Sequence, residues 1–281
     1  MAFRIILIFS FSLLTSNSLL CQSLSGVINS YYQIVNINSS TEIEVDDASG
    51  LNTCENVLII QMRGADIDQT NTPSFGSITD YANSGNYEFS TIQSVNGNIL
   101  TLTNPLVRQY SVSGFVQLVT FPQFNNASID GQLSCLPWDG VKGGVLALRT
   151  TGKLSVNADI DVKGKGFRGG DLISNNNWGC PPSAPNFFYA IGSFNHAAPK
   201  GEGISIIPSN IAFGRGAAAN GGGGGLNVNS GGGGGSNFGT GGFGGRDWVG
   251  CAGGGTSNDW RGIGGYDIAY SNTVNKIFLG G

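Results

Sequence analysis

Gly221-Gly-Gly-Gly-Gly-Leu-Asn-Val-Asn-Ser-Gly-Gly-Gly-Gly-Gly235 carries two runs of five glycines inside a stretch, 214–265, in which glycine is the commonest residue. Glycine loses the most conformational entropy on ordering and has no side chain to pack or react, so these runs exclude most enzyme folds here. Such a segment either stays disordered or orders by letting backbones approach where a Cβ would block them. Collagen-like packing of extended polyproline-II chains shows the second route. What lies between the glycines decides. A flexible linker mixes glycine with serine and charge, whereas Leu226, Val228, Phe238, Phe243, Trp248, Val249, Trp260, Ile263 and Tyr266 interrupt this stretch at short intervals and need burial. The sequence therefore predicts an ordered array of extended glycine helices, about 3 residues per turn, hydrogen-bonded to one another through bare backbone.

Composition bounds the rest. Charged residues make up 11% of the 281 residues, and 46 are glycine, against usual shares of roughly 25% and 7%. The surface must be dressed with Asn, Ser, Thr and backbone, as suits an extracellular protein. Net charge is −4 and no Lys/Arg cluster stands out, so neither nucleic-acid binding nor an anionic membrane surface is supported. Arg4, the apolar run Ile5–Leu14 and the following residues to Cys21 have the layout of a secretory signal peptide, with cleavage expected near Cys21. An acylated Cys21 is the weaker reading, because bulky Leu20 stands where a lipoprotein signal has a small residue. No later segment is long and apolar enough to span a bilayer.

Four cysteines remain in the mature region: Cys54, Cys135, Cys180 and Cys251. An even number in an exported chain suggests two disulfides, with Cys54–Cys135 and Cys180–Cys251 the expected pairing out of three; buried free thiols are the competing reading.

Upstream, alternating and β-branched runs at 32–37, 42–45, 57–62, 88–95, 99–102 and 115–121 predict strands. Asn96-Gly97 predicts a hairpin between two of them. Asp66 to Gly85 reads as a long loop. The segment 144–163 alternates almost strictly and ends in glycine turns, as short β-solenoid strands do. The stretch 171–208 carries Phe187, Phe188, Tyr189 and Phe194, too many aromatics for a solvated loop, and reads as ordered.

Four strings, Val57–Ala65, Gly76–Phe89, Pro137–Gly144 and Gly214–Gly221, resemble the glycine-rich N-terminal region of large surface proteins of type IX-secreting bacteria, which usually end in a gliding-motility-associated C-terminal sorting domain. The resemblance covers nearly the whole mature chain and implies a secreted or cell-surface protein with an adhesive or structural role. In that family Lys276-Ile-Phe-Leu-Gly-Gly281 would continue into another polyglycine run, so a fragment lacking its C-terminal sorting or partner domains is expected. Glycine content and scattered aromatics are also similar to the glycine-rich extracellular domain of the anaplastic lymphoma kinase family, which implies packed polyglycine helices and says little of function.

Candidate chemistry is sparse. Gly164-Lys-Gly-Phe-Arg-Gly169 matches G-x-G-x-x-G, but Gly170-Asp-Leu-Ile-Ser does not open the helix that would hold a pyrophosphate. The single histidine, His196, supports neither a metal cluster nor a catalytic triad. Asp159 and Asp161 share a strand face with Lys163 and Lys165, which favours a solvated charge ladder over a glycosidase pair. Glu202 and Asp139, the latter beside Trp138, are isolated acids. Calcium would suit glycine-loop carbonyls and carboxylates, yet no spaced Asp loop is present. Trp248 and Trp260 each follow an aspartate and are candidate glycan contacts; the stronger reading makes them plugs of a core poor in aliphatic side chains.

The prediction is an all-β chain with essentially no helix after the signal. A signal peptide occupies 1–21, a small antiparallel β barrel or sandwich 22–136, and a β-strand plus glycine-rich domain 137–281, in which short β-solenoid-like strands lead into a packed polyglycine-II-like region. A non-catalytic adhesive or structural role, with an extracellular glycan or surface polymer as partner and no cofactor, is the expected function. A polysaccharide-active enzyme on a β-solenoid is the alternative, which acids clustered with Arg or Lys in one groove would favour. An ice- or ligand-binding glycine-rich module is a further alternative, without a regular threonine array to support it.

Overall fold

The computed structural model describes residues 22–174, 186–193, 197–226, 230–246, 260–268 and 275–281. Residues 1–21, expected from the sequence to be a signal peptide, lie outside them. β1 (Gln22–Val27) is followed by β2 (Tyr31–Ile37), β3 (Glu42–Val45), β4 (Asn56–Gln61), β5 (Asp66–Ile67), β6 (Ile78–Asp80), β7 (Tyr87–Asn96), β8 (Ile99–Leu102) and β9 (Val116–Thr120). Six of these close an antiparallel barrel in the order β2-β3-β8-β7-β4-β9. The strand runs read from the sequence fall on these elements, and the Asn96-Gly97 hairpin joins β7 to β8, with Asn96 paired to Ile99 and Gly97 at φ +60°. Gly97 supplies the positive φ that a two-residue loop matching the right-handed strand twist needs, which is why this step is legible.

Alternate residues fill the barrel: Ile34, Ile43, Val57, Ile59, Ile92, Leu100, Val116 and Leu118 are all essentially buried. β4 is buried at every position after Asn56. Its continuous Val57-Leu-Ile-Ile run has the pattern of a strand covered on both faces. One face completes the barrel core, and the other, with Leu58 and Ile60, meets Trp138, Phe167, Ile204 and Leu279 from the C-terminal half.

Beyond the barrel, β10 (Gln123–Phe124), β11 (Ala127–Ser134), β12 (Arg149–Thr150) and β13 (Leu154–Val156) pair in parallel, β10 with β12 and β11 with β13. β1 adds to β11, also in parallel, so the order is β1-β11-β13 and the parallel ladder begins before the alternating segment at Gly144. β11 and β13 pair at a spacing of 27 residues, β10 and β12 at 26, and side chains bond at the 27-residue spacing. Asn126 Oδ1 accepts from the Lys153 amide at 2.8 Å, Asn157 Nδ2 donates to Asp130 at 2.8 Å, and Ser134 Oγ donates to the Asp161 carbonyl at 2.6 Å. This is one turn of a coil of the solenoid kind. Asp161 caps the Lys163 amide at 2.9 Å, consistent with a solvated ladder.

The glycine-rich region forms a bundle of extended rods. Segments 231–234, 241–245 and 262–265 close two three-membered rings. Gly234 N–H donates to Gly242, Gly241 to Gly265 and Gly265 back to Gly234, at 2.8 to 2.9 Å. Three residues along, Gly231 donates to Gly245, Gly244 to Gly262 and Gly262 to Gly231, all at 2.9 Å. Donors recurring every third residue are the signature of a threefold extended helix, in which successive amides point about 120° apart. A third ring joins 198, 214 and 224–225, and Gly233→Gly223, Gly223→Ile263 and Ile263→Arg215 link the two sets. Segment 221–226 is fully buried at their centre.

Close approach explains the glycines. A Cβ on Gly223 would lie 1.9 Å from the Arg215 carbonyl oxygen, one on Gly241 2.0 Å from that of Gly234, and one on Gly264 1.8 Å from that of Gly241. Gly242, on the same rod, would meet nothing within 4 Å. The expected long loop after Asp66 also proves ordered: it holds the β5–β6 pair and the fully buried Phe75, which packs on Phe188 at 5.2 Å. Among the described residues the only helical turns are short 3-10 turns at Val112–Gly114 and Ser209–Ile211.

Gly241→Ala and Gly264→Ala are expected to destabilise the chain by about 2 kcal/mol or more in urea unfolding, as overpacking against backbone does. Gly242→Ala should change stability by no more than about 0.5 kcal/mol.

Candidate functional site

The barrel, the coil and the glycine bundle meet at one charged cluster. Arg63 follows the apolar β4 strand, Trp138 and Asp139 follow β11, Arg168 ends the Gly164-Lys-Gly-Phe-Arg string, and Glu202 lies in the rod 198–203. Glu202 accepts from all sides. Oε1 receives Arg168 Nη2 at 2.7 Å and faces Arg63 Nη1 at 3.8 Å. Oε2 receives Trp138 Nε1 at 3.0 Å, Arg168 Nε at 3.0 Å and the Arg168 amide at 3.1 Å. The Arg168 contact is a two-pronged guanidinium–carboxylate pair, the strong form of such bonds.

Each partner is fixed in turn. Arg168 Nη1 donates to the Asp139 carbonyl at 2.9 Å, while the Asp139 carboxylate caps the amides of Val141 and Lys142. Arg63 donates from Nε to Gly203 O at 3.0 Å and from Nη2 to Ser205 O at 2.7 Å, and its guanidinium lies over the Phe115 ring at 5.6 Å. Trp138 stands edge-on to Phe115 and Phe167, at 6.3 and 5.6 Å. Burial raises the Glu202 carboxyl, but hydrogen bonds from Arg168 and the charges of Arg63 and Arg168 outweigh it and hold the group below the usual carboxylate range. Burial pushes the Arg63 guanidinium down and Glu202 pushes it back. A glycosidase acid needs its carboxyl raised so that it stays protonated. Glu202 is held the other way.

Two lysines serve the backbone in the same manner. Lys200, 8% exposed, donates to the carbonyls of Phe187, Gly214 and Gly216 at 2.7 to 2.9 Å and lies over Phe75 at 4.6 Å. Burial pushes its ammonium well below the ordinary value. Lys276 Nζ donates to Ala82 O, Ser84 O and Asn86 Oδ1. Asn220, fully buried, accepts from the Ile204 amide through Oδ1 and donates through Nδ2 to Ser236 O and Leu279 O.

The sequence candidates distribute as follows. Trp138, Asp139, Arg168 and Glu202, separate in the chain, come together. Trp260 is 6% exposed and packs with Ala197 and Leu226, so its glycan-contacting role is corrected to that of a core plug. Its ring has no free face to offer a sugar. Trp248, His196, Cys180 and Cys251 lie outside the described residues. The Cys54–Cys135 disulfide is also corrected: both are free thiols. Cys54 is exposed in the turn before β4, whereas Cys135 is 1% exposed in the core between barrel and coil, and a disulfide requires the two Cα atoms within about 7 Å. Among the described residues no group of three or more His, Cys, Asp or Glu could hold a metal ion, and no helix is long and apolar enough to cross a membrane. Sequence reasoning missed Arg63, Lys200, Lys276 and Asn220. Arg63 alone left a signal, as a charge directly after the apolar run Val57–Met62.

The fold is thus an all-β chain in which a closed barrel, a parallel coil and a polyglycine bundle share one charged junction. No protein-family model matches the chain, and no curated protein matches it. Among solved structures it is similar to the tailspike protein gp49 of Pseudomonas phage LKA1, at 16% identity over 40% of this chain and 20% of that one, TM-score 0.23. It is similar also to the Gp54 tailspike of Acinetobacter baumannii bacteriophage AP22, solved in complex with capsular saccharide, at 16% identity over 46% and 22%, TM-score 0.24. A third likeness is to the Pseudomonas phage phi297 tailspike gp61, at 13% identity over 49% and 20%, TM-score 0.26. The chain spans about a fifth of the length of these structures. Similarity this slight assigns no ligand.

Glu202→Gln is expected to lower stability by about 2 kcal/mol, the buried-pair cost discounted for a partly solvated carboxylate. Because the folded carboxyl titrates below its unfolded value, its contribution is complete above the usual carboxylate range and is lost as pH falls through the depressed value. The variant should therefore lose part of the acid-side slope of stability against pH in urea titrations. In native alkylation followed by mass spectrometry, Cys54 should react at once, and Cys135, its thiol raised by burial, only on unfolding.

Proposed function

We propose that this chain is a non-catalytic module of an exported or cell-surface protein, with an adhesive or structural role and an extracellular glycan or surface polymer as its partner. The observation that carries this reading is the state of Glu202. The one place where an acid, two arginines and a tryptophan converge joins the three parts of the fold through hydrogen bonds from Arg168 and Trp138 and an ion pair with Arg63, and its carboxyl is held ionised. Such a cluster suits a lock, since Arg168 and Trp138 engage the carboxylate and its ionised form carries no proton to give a sugar. The low charge, the leader-like N-terminus and the resemblance of four strings to surface proteins support export.

The test is to incubate the purified chain with a panel of bacterial capsular and extracellular polysaccharides, following reducing ends and unsaturated products, and to probe a glycan array in parallel. Binding without product release is expected. Product release that disappears in Glu202→Gln, with the variant still folded by circular dichroism, would overturn the proposal in favour of the polysaccharide-active alternative.

A further inference from the structure

We propose that the open end of the parallel coil is a self-complementary interface, at which β13 pairs antiparallel with β13 of a second copy of this chain about a two-fold axis at Asn157. β13 is the last strand in the order β1-β11-β13, and among the described residues no strand covers its outer edge. The Lys153 carbonyl accepts from the Ala127 amide and the Asn157 amide donates to Ile129 O, so the backbone groups of the odd-numbered residues face β11. Those of Leu154 and Val156 alternate to the outer edge. The side chains mark the same end as open. Val156 and Ile160 stand where Ile129 and Leu133 stand one turn earlier, on the inside of the coil. Ile129 and Leu133 are fully buried, whereas Val156 is 58% and Ile160 49% exposed. At the other end of the ladder Leu24 is 5% exposed, so that end is covered. A stack that shows core residues to water on its last turn lacks the polar cap such stacks carry.

Charge and apolar pattern along this edge select the occupant and its register. An antiparallel pair centred on Asn157 sets Leu154 against Ile160 of the second copy and Val156 against Ala158, all on the core face. On the solvent face it sets Lys153, which is exposed, against Asp161. The axis repeats each of these contacts, so one pairing gives two ion pairs and a core continuous from coil to coil. Neighbouring registers lose one feature or the other. Centred on Ala158, the edge places Lys153 opposite Lys163, and like charges directly opposite are destabilising. Centred on Val156, it leaves Ile160 facing Gly152. The bare N–H and C=O groups of each edge then complete the ladder of the other. Joining β13 to β1 of a second copy would instead need the covered Leu24 end, and its head-to-tail contact would repeat without closing. The two-fold pairing closes at two copies. It also gives one particle two of every surface the chain presents, the arrangement by which weak sites gain avidity.

The test is sedimentation of the full purified chain over a wide concentration range under reducing conditions, joined to a disulfide trap. The expected mass rises from one chain to two and no further. Lys153→Glu should weaken the dimer about tenfold, since it turns two exposed ion pairs into repulsions. In a Cys54→Ser background, which removes the exposed native thiol, Asn157→Cys should give a disulfide-linked dimer on mild oxidation. Asn157 faces its own copy in a non-hydrogen-bonded pair, where opposite Cα atoms lie about 4.5 Å apart, within disulfide reach. The same background without Asn157→Cys, or with Ser155→Cys in its place, should not cross-link. A single-chain mass at every concentration would overturn the proposal and would mean that this end is covered within one chain. Assemblies growing past two copies, or a dimer that Asn157→Cys fails to trap, would overturn it as well. The mass is read on the unaltered chain and does not depend on a variant folding.

Discussion

The contact between one rod's Cα and the next rod's carbonyl oxygen governs this molecule. Where a Cβ would sit about 2 Å from a neighbouring oxygen, only glycine lets the chains come close enough for their amides and carbonyls to bond. The entropy lost in ordering so many glycines must be offset by something other than side-chain burial. The offset is a lattice in which amides of one rod bond carbonyls of the next, as in the repeated rings of 231–234, 241–245 and 262–265. A similar demand for bare backbone extends beyond the polyglycine runs. Gly76 in the barrel's long loop approaches the Ala217 carbonyl so closely that any side chain there would collide with it.

The lattice has only a small apolar cluster of its own, around Leu226 and Trp260, so it is attached to a larger core. Three devices do this. The β4 strand offers its outer face, Leu58 and Ile60, to Trp138, Phe167, Ile204 and Leu279. The Glu202 cluster fixes the first rod to both barrel and coil through two guanidinium groups. Lys200, Lys276 and Asn220 use side-chain donors to gather carbonyls from separate segments of the chain. Burying a cation is costly unless its protons are all placed, and the three carbonyls with the Phe75 ring meet that condition for Lys200. The sparse charge of the sequence is thus concentrated where backbone oxygens converge.

The barrel strands were legible because their signals are local: alternation and β-branched residues mark each strand, and Asn96-Gly97 marks the turn between two of them. The apolar residues that interrupt the glycines were a mixed guide to the array: Leu226 and Trp260 are buried as expected, whereas Phe238 and Phe243, expected to need burial, are 84% and 59% exposed. The cysteines misled because parity carries no information about distance; Cys54 is exposed in a turn and Cys135 is buried in the core between barrel and coil. Trp260 shows the same limit, since an aspartate beside a tryptophan looks alike whether the ring faces water or Leu226. β1 could not be assigned as the outer strand of a parallel ladder, because its partner β11 lies a whole barrel away in the chain.

By itself the sequence determined the class of structure: all-β, with a strand-rich first half and an ordered glycine-rich second half, since periodicity and glycine density are properties of adjacent residues. Only the tertiary structure decided which charges meet. Glu202, Arg168, Arg63 and Trp138 come from four segments, and their convergence depends on the barrel closing, the coil turning once and the rods packing in register. Hydrogen bonds and ion pairs act over a few ångströms of space, and the chain order records no such distance between segments that far apart.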